Sequence, residues 1–95
     1  MDKKEAYEKK LRAQLDEWSA EIDKLKAKAD GAEVDAQLKY QEQIDELRAM
    51  QKSANEKLAE LKEASDSAWE GLKHGIENAW DSLGKAVNSA RSRFR

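Results

Sequence analysis

Ninety-five residues, 18 of them basic and 20 acidic, give a net charge of −2 and include neither cysteine nor proline. This length supports one small domain or one extended rod, disulfides are excluded, and interleaved charges of both signs leave no basic face of the kind that grips nucleic acid. Charged residues make up 40% of the chain and apolar residues 39%, many of them alanine, a mixture that, with helical spacing, marks coiled coils and long helices.

The start, MDKKEAYEKKLRAQL, lacks the apolar stretch of a secretory signal. No uninterrupted apolar run exceeds two residues, far short of a membrane span. With no cysteine to oxidise, a cytoplasmic location is the expectation. From Leu11 the large apolar residues advance in steps of four and three through Leu15, Trp18, Ile22 and Leu25, then through Ala29, Ala32 and Ala36. This is the seven-residue repeat of a helix seam. Glu5–Lys9, Glu8–Arg12 and Asp35–Lys39 are acid-first pairs four apart, which favour helix on the exposed side by a few tenths of a kcal/mol each.

After Ala36 the path runs through Tyr40, Ile44 and Leu47, then Gln51, Ala54, Leu58 and Leu61. Two places weaken it. Asp30-Gly31 is a turn dipeptide, and a glycine inside a helix costs about 1 kcal/mol relative to alanine. Ser67 with Glu70 matches the S-x-x-E capping box that starts a helix. Because the apolar phase continues through Gly31, the expected architecture is all-α with one long helix over 3–64 and a shorter one over 67–93. They would form a coiled coil or a helical hairpin. If both weak places are turns, the chain becomes a three-helix bundle.

The last third repeats itself. AWEGLKHGIEN, Ala68 to Asn78, is followed at once by AWDSLGKAVNS, Ala79 to Ser89. Eleven residues complete three helical turns, so each copy shows the same face. The apolar face comprises Ala68, Trp69, Leu72, Ile76, Ala79, Trp80, Leu83, Val87 and Phe94. The alanines and aliphatics lie along its centre, and the two tryptophans at one edge. Gly75 and Ala86 form a small opposite edge. Such a face suits helix packing, where tryptophans add large buried area, and secondarily a membrane surface. The acidic centre of the polar face and its sparse lysines favour packing.

Little in the sequence suggests catalysis. His74, with Glu70 and Glu77 at helical spacing, reads as a solvated polar face, since a metal site gathers three or four ligands that converge. There is no phosphate loop, nucleophile elbow or cysteine–histidine dyad. No catalytic residue, metal, cofactor or small-molecule substrate is expected. Arg91, Arg93 and Arg95 read first as charge complementing a helix C-terminus, and second as a contact for anionic lipid or another polyanion.

The opening KKEAYEKKLRAQLDEWSAEIDKLKAKAD, the middle YQEQIDELRAMQ and KLAELKEAS, and the ending AWEGLKHGIENAWDSLGKAVNSARSRF carry a resemblance. Over nearly its full length the chain resembles a family of small bacterial coiled-coil stress-response proteins. The resemblance implies a non-enzymatic protein linked to stress tolerance and supplies no catalytic or ligand residues. The last third is also similar, more loosely, to the amphipathic repeats of exchangeable apolipoproteins and desiccation proteins. The expected function is self-association into a homo-oligomer through the seam of Leu11, Leu15, Trp18, Ile22, Leu25, Tyr40, Ile44, Leu47, Leu58 and Leu61, since a chain this short buries little surface alone. The alternative is a peripheral lipid-binding helix protein with weak contact to the membrane surface.

Overall fold

The computed structural model describes residues 2–93, which form three helices: α1 (Lys3–Asp30), α2 (Val34–Glu63) and α3 (Trp69–Arg93). Helices of 28, 30 and 25 residues are about 42, 45 and 38 Å long at 1.5 Å per residue. They lie side by side in a body of 51 × 19 × 18 Å. The all-α class is as expected, in its three-helix form. The long helix expected over 3–64 is divided, because the chain reverses at residues 31–33 and α2 returns antiparallel to α1. An unbroken rod would leave the seams of both halves in water, whereas the reversal lets each cover the other.

Local chemistry sets the ends. Asp2 caps α1 by accepting a hydrogen bond from the Glu5 N–H at 2.8 Å, which satisfies one of the first free donors. At its other end the Gly31 N–H donates back to the Ala27 carbonyl. Gly31 itself has φ −89° and ψ −1°, so the turn does not use glycine's left-handed freedom. The extended backbone that starts α2 falls at Glu33, φ −62° and ψ 154°, whose side chain makes no capping bond. Gln37 Nε2 ties the turn by donating to the Asp30 carbonyl at 3.0 Å.

Between α2 and α3, the Ser65 carbonyl accepts from the N–H groups of Ala68 and Trp69, and its hydroxyl accepts from Ala68 at 3.3 Å. The cap is therefore Ser65. Ser67, expected to fill this role in a capping box, lies inside the turn with its hydroxyl 3.4 Å from that of Ser65. The Lys4 ammonium reaches across to the carbonyls of Lys62 and Ala64 at 3.1 and 2.6 Å. It places positive charge at the C-terminal end of α2, where the helix dipole favours it.

The core is a column of apolar side chains. α1 contributes Leu11, Leu15, Ile22, Leu25 and Ala29; α2 contributes Ile44, Leu47, Ala54, Leu58 and Leu61; α3 contributes Trp69, Ile76, Trp80, Leu83, Val87 and Ala90. Steps of four and three run through them, with half-buried Trp18, Gln51 and Leu72 filling the places of the seam between. This is the pattern of near-parallel helix bundles. No polar or charged residue is buried among the described residues. The ion pairs that form are Asp23–Arg48 between α1 and α2, Glu21–Arg91 between α1 and α3, and Asp81–Lys85 within α3, at 2.6, 3.0 and 3.0 Å. The expected pairs Glu5–Lys9, Glu8–Arg12 and Asp35–Lys39 do not close.

Leu58 is fully enclosed, so Leu58→Ala removes three carbons from the column and leaves a cavity. We expect it to lower stability by about 3 kcal/mol, while Glu56→Ala on the exposed side of the same helix stays within about 0.5 kcal/mol. Urea denaturation followed by helical circular dichroism measures both.

Candidate interaction surface at the apolar seam and the α1–α3 groove

The seam residues expected to meet another chain meet within this one. Leu11, Leu15, Ile22, Leu25, Ile44, Leu47, Leu58 and Leu61 are buried, and Trp18 and Tyr40 are partly covered against them. The inference that a single chain is too short to bury this seam is corrected. The third helix supplies the missing cover, its Ile76, Leu83 and Val87 completing the column.

On the C-terminal face the structure shifts the centre of the stripe. Trp69 and Trp80, expected at its edge, are buried, while Ala68 is exposed and Leu72 and Ala79 are only partly covered. Phe94 lies outside the described residues. The shift restores seven-residue stepping from Trp69 through Ile76 and Leu83 to Ala90. Trp80 pays for its burial with a hydrogen bond: its indole N–H donates to the Leu11 carbonyl of α1 at 3.2 Å, as a buried indole requires.

α3 runs parallel to α1, and their register has a simple geometry. Tyr7 and Trp18 on α1 are eleven residues apart, as are Lys73 and Gly84 on α3. The Lys73 ammonium lies 5.3 Å from the ring centres of both Tyr7 and Trp69, a double cation–π contact, and the Tyr7 and Trp69 rings are themselves 5.8 Å apart. One repeat further on, a Cβ added to Gly84 would stand 3.0 Å from Trp18 Cζ2, so the indole lies directly over the glycine backbone. Corresponding positions of the two repeat copies thus face two aromatic residues of the neighbouring helix at the same spacing, about 16 Å along the axis. Gly84 was not singled out by sequence. The signal was available as the single exchange of lysine for glycine between the repeat copies, but it has meaning only once the α1 aromatics are opposite. Gly75, on the expected small edge, meets nothing within 4 Å.

Between these two layers a groove of about 460 Å³ opens on the α1–α3 side, floored by Leu11 and Trp80 and rimmed by Lys10, Glu77, Asp81 and Lys85. The Tyr7 hydroxyl at one end is enclosed without a partner in hydrogen-bonding geometry. Burial first, and the nearby Glu77 carboxylate second, hold its pKa above the ordinary value of 10. His74 is exposed on the outer face of α3, its Nε2 3.5 Å from Asn78 Nδ2. Among the described residues no three histidine or carboxylate side chains converge as a metal site, and no helix is long and apolar enough to cross a membrane.

The bundle is uneven along its length. Arg91, near the end of α3, pairs with Glu21, nine residues before the end of α1. The last turn of α1 and the first turns of α2 lie beyond this ion pair, at one tip of the bundle. Val34 and Leu38, 73% and 68% exposed, stand on this tip.

With this geometry described, comparison with protein families, with curated proteins and with solved structures finds no match to the chain.

Glycine substitutions should have opposite effects along α3. Gly71→Ala and Gly75→Ala fill open space in a helix and should each raise stability by about 1 kcal/mol. Gly84→Leu must displace the Trp18 indole and should lower it by about 1–3 kcal/mol. Thermal denaturation of the three variants checks the contrast.

The raised Tyr7 pKa has a defined sign. Below pH 10 both folded and unfolded chains keep the proton and the group contributes no slope. Above pH 10 the unfolded chain releases it first, so stability falls as pH rises through the folded-state value. We expect Tyr7→Phe to flatten this alkaline loss and, by removing an enclosed hydroxyl, to leave stability at pH 7 no lower than that of the unmodified chain, as read by urea midpoints between pH 7 and 11.

Proposed function

We propose that the chain is a non-enzymatic helical interaction protein that acts by self-association in the cytoplasm, in the manner of the bacterial stress-response coiled-coil proteins it resembles. One observation carries this reading. All three helices present the same four-and-three apolar stepping, and no polar or charged residue is buried among the described residues. Buried polar groups are the usual device by which helices fix partner and register. Here the column is apolar apart from the Trp80 bond to the Leu11 carbonyl, which an identical copy also provides, so an equivalent helix from another copy can enter at little loss. The ion pairs at the rim, Asp23–Arg48 and Glu21–Arg91, each keep at least one partner exposed and contribute little to partner choice.

The second reading, contact with a lipid surface, is favoured by the end of the chain. No acidic residue follows Asp81, while Lys85, Arg91, Arg93 and Arg95 do. Both tryptophans of α3 are turned into the core, so lipid contact through its apolar face requires this helix to leave the bundle. A shift in tryptophan emission is a poor reporter here, since two of the three indoles are already buried. Co-flotation with vesicles is the suitable measurement.

Sedimentation equilibrium of samples refolded from urea at roughly 10 μM to 1 mM, the upper end matching the effective concentration within a tethered chain, tests the main reading. We expect the average mass to rise from 10.8 kDa towards twice that value as concentration increases. A constant mass of one chain across the range discards self-association. Co-flotation with vesicles rich in phosphatidylserine, in that case, supports the lipid reading.

A further inference from the structure

We infer that residues 31–33 are a hinge, and that two copies of the chain associate by opening there and exchanging α1. This rests on the self-association proposed above and specifies its route.

The connection between α1 and α2 is three residues long: Gly31, Ala32 and Glu33. Gly31 already lies in the right-handed region, at φ −89° and ψ −1°. Glu33 has a helical φ of −62° and departs from helix in ψ, at 154°. No residue of the turn adopts a positive φ, so no left-handed conformation has to be undone. Alanine and glutamate are among the better helix formers, and there is no proline. Little holds the turn closed. Glu33 makes no side-chain cap, and the bonds that span it are Gln37 Nε2 to the Asp30 carbonyl and the Ala32 N–H to the Ala29 carbonyl. The second of these is compatible with a tight helical turn.

The apolar phase continues through the turn. Ala29, Ala32 and Ala36 follow Leu25 in steps of four, three and four, so a straightened chain would keep a seam across the junction. Opening would join α1 and α2 into one helix of 61 residues, about 90 Å long. Each α1 would then lie on α2 and α3 of the other copy. Every core contact of the closed chain is remade: Leu11, Leu15, Ile22 and Leu25 in the column, Trp18 over Gly84, and the Leu11 carbonyl on the Trp80 N–H. Exchange of an identical element costs little beyond opening, and a short connection invites it. Because the core must come apart first, exchange proceeds through unfolding, and the product persists once formed.

The test uses the full-length chain and Glu33→Pro. Proline suits the closed turn at this position, where φ is −62° and the residue opens a helix. In the interior of a 61-residue helix it would cost about 3 kcal/mol in each copy, lowering the association constant at least 1000-fold. Both proteins are refolded from urea at about 1 mM, where association competes with closure, and separated by size with light scattering. X-ray scattering of the separated species gives their longest dimension.

We expect the unmodified chain to yield a dimer at least about 90 Å long that survives dilution for hours, and Glu33→Pro to yield a folded monomer of the closed length, 51 Å. A dimer of ordinary bundle length, or one that forms equally in Glu33→Pro, overturns the hinge and leaves self-association standing. Absence of any dimer overturns both. Should Glu33→Pro fail to fold, the longest dimension of the unmodified dimer decides by itself.

Discussion

Trp80 is the side chain on which the arrangement of the third helix turns. Its ring fills the core and its N–H is satisfied only because the Leu11 carbonyl lies within reach at 3.2 Å. A buried indole without a partner is unfavourable by kilocalories, so the bond fixes how far α3 can slide along α1. The same slide would take Lys73 off Tyr7 and push the backbone of a bulkier residue than Gly84 under Trp18. Two layers spaced by eleven residues therefore share one register. Without this third helix, the α1–α2 hairpin would keep one side of Leu15, Leu25, Ile44 and Leu58 in water. A two-helix hairpin of such composition buries too little surface to offset the entropy of ordering its chain.

Register here comes from shape. The column is apolar throughout the described residues, and aliphatic side chains alone discriminate poorly between neighbouring registers. The discriminating elements are a glycine beneath an indole, a lysine between two rings, and an indole bonded to a main-chain carbonyl. All three lie between α1 and α3. Between α1 and α2 the specific contacts are the exposed Asp23–Arg48 pair and Lys4 on the last carbonyls of α2, and the short turn does the rest by restricting what the two helices can reach. A fold held in this way is specific in alignment and permissive about which chain provides each helix.

Much of the column was legible in the sequence. The four-and-three path from Leu11 to Ala29 and from Ile44 to Leu61 corresponds residue by residue to what is buried or half-buried, because period is a property of the helix itself. The chain reversal was not, since the apolar phase runs through Gly31 whether the helix continues or folds back, and Ala29, Ala32 and Ala36 fit either course. Nor was the inward turn of Trp69 and Trp80. An eleven-residue repeat on an isolated helix places Ala68, Ala79 and the aliphatics at the centre, but α3 is covered by two helices, and the larger side chains take the place between them. Ser65 in place of Ser67 as the cap is a shift of two residues within a run of serines and aspartate, where local sequence offers several competing acceptors.

Under the proposed exchange, closed and open forms have the same core contacts, so their balance is set by a few terms outside the core. A three-residue tether gives α1 a local concentration near α2 on the order of millimolar. Association must match that figure before exchange is favoured, and the cost of keeping Gly31 within a helix, about 1 kcal/mol in each copy, raises the requirement. Against this, straightening restores main-chain hydrogen bonds at the start of α2, where Glu33 now provides no cap. The net difference is therefore small compared with the burial energy of the column, and chain concentration becomes the variable that moves it. Conditions that loosen the core act on the rate, because α1 cannot leave until Trp80 releases the Leu11 carbonyl. Under this exchange the chain's concentration sets the balance, and loosening of the core sets how fast it is reached.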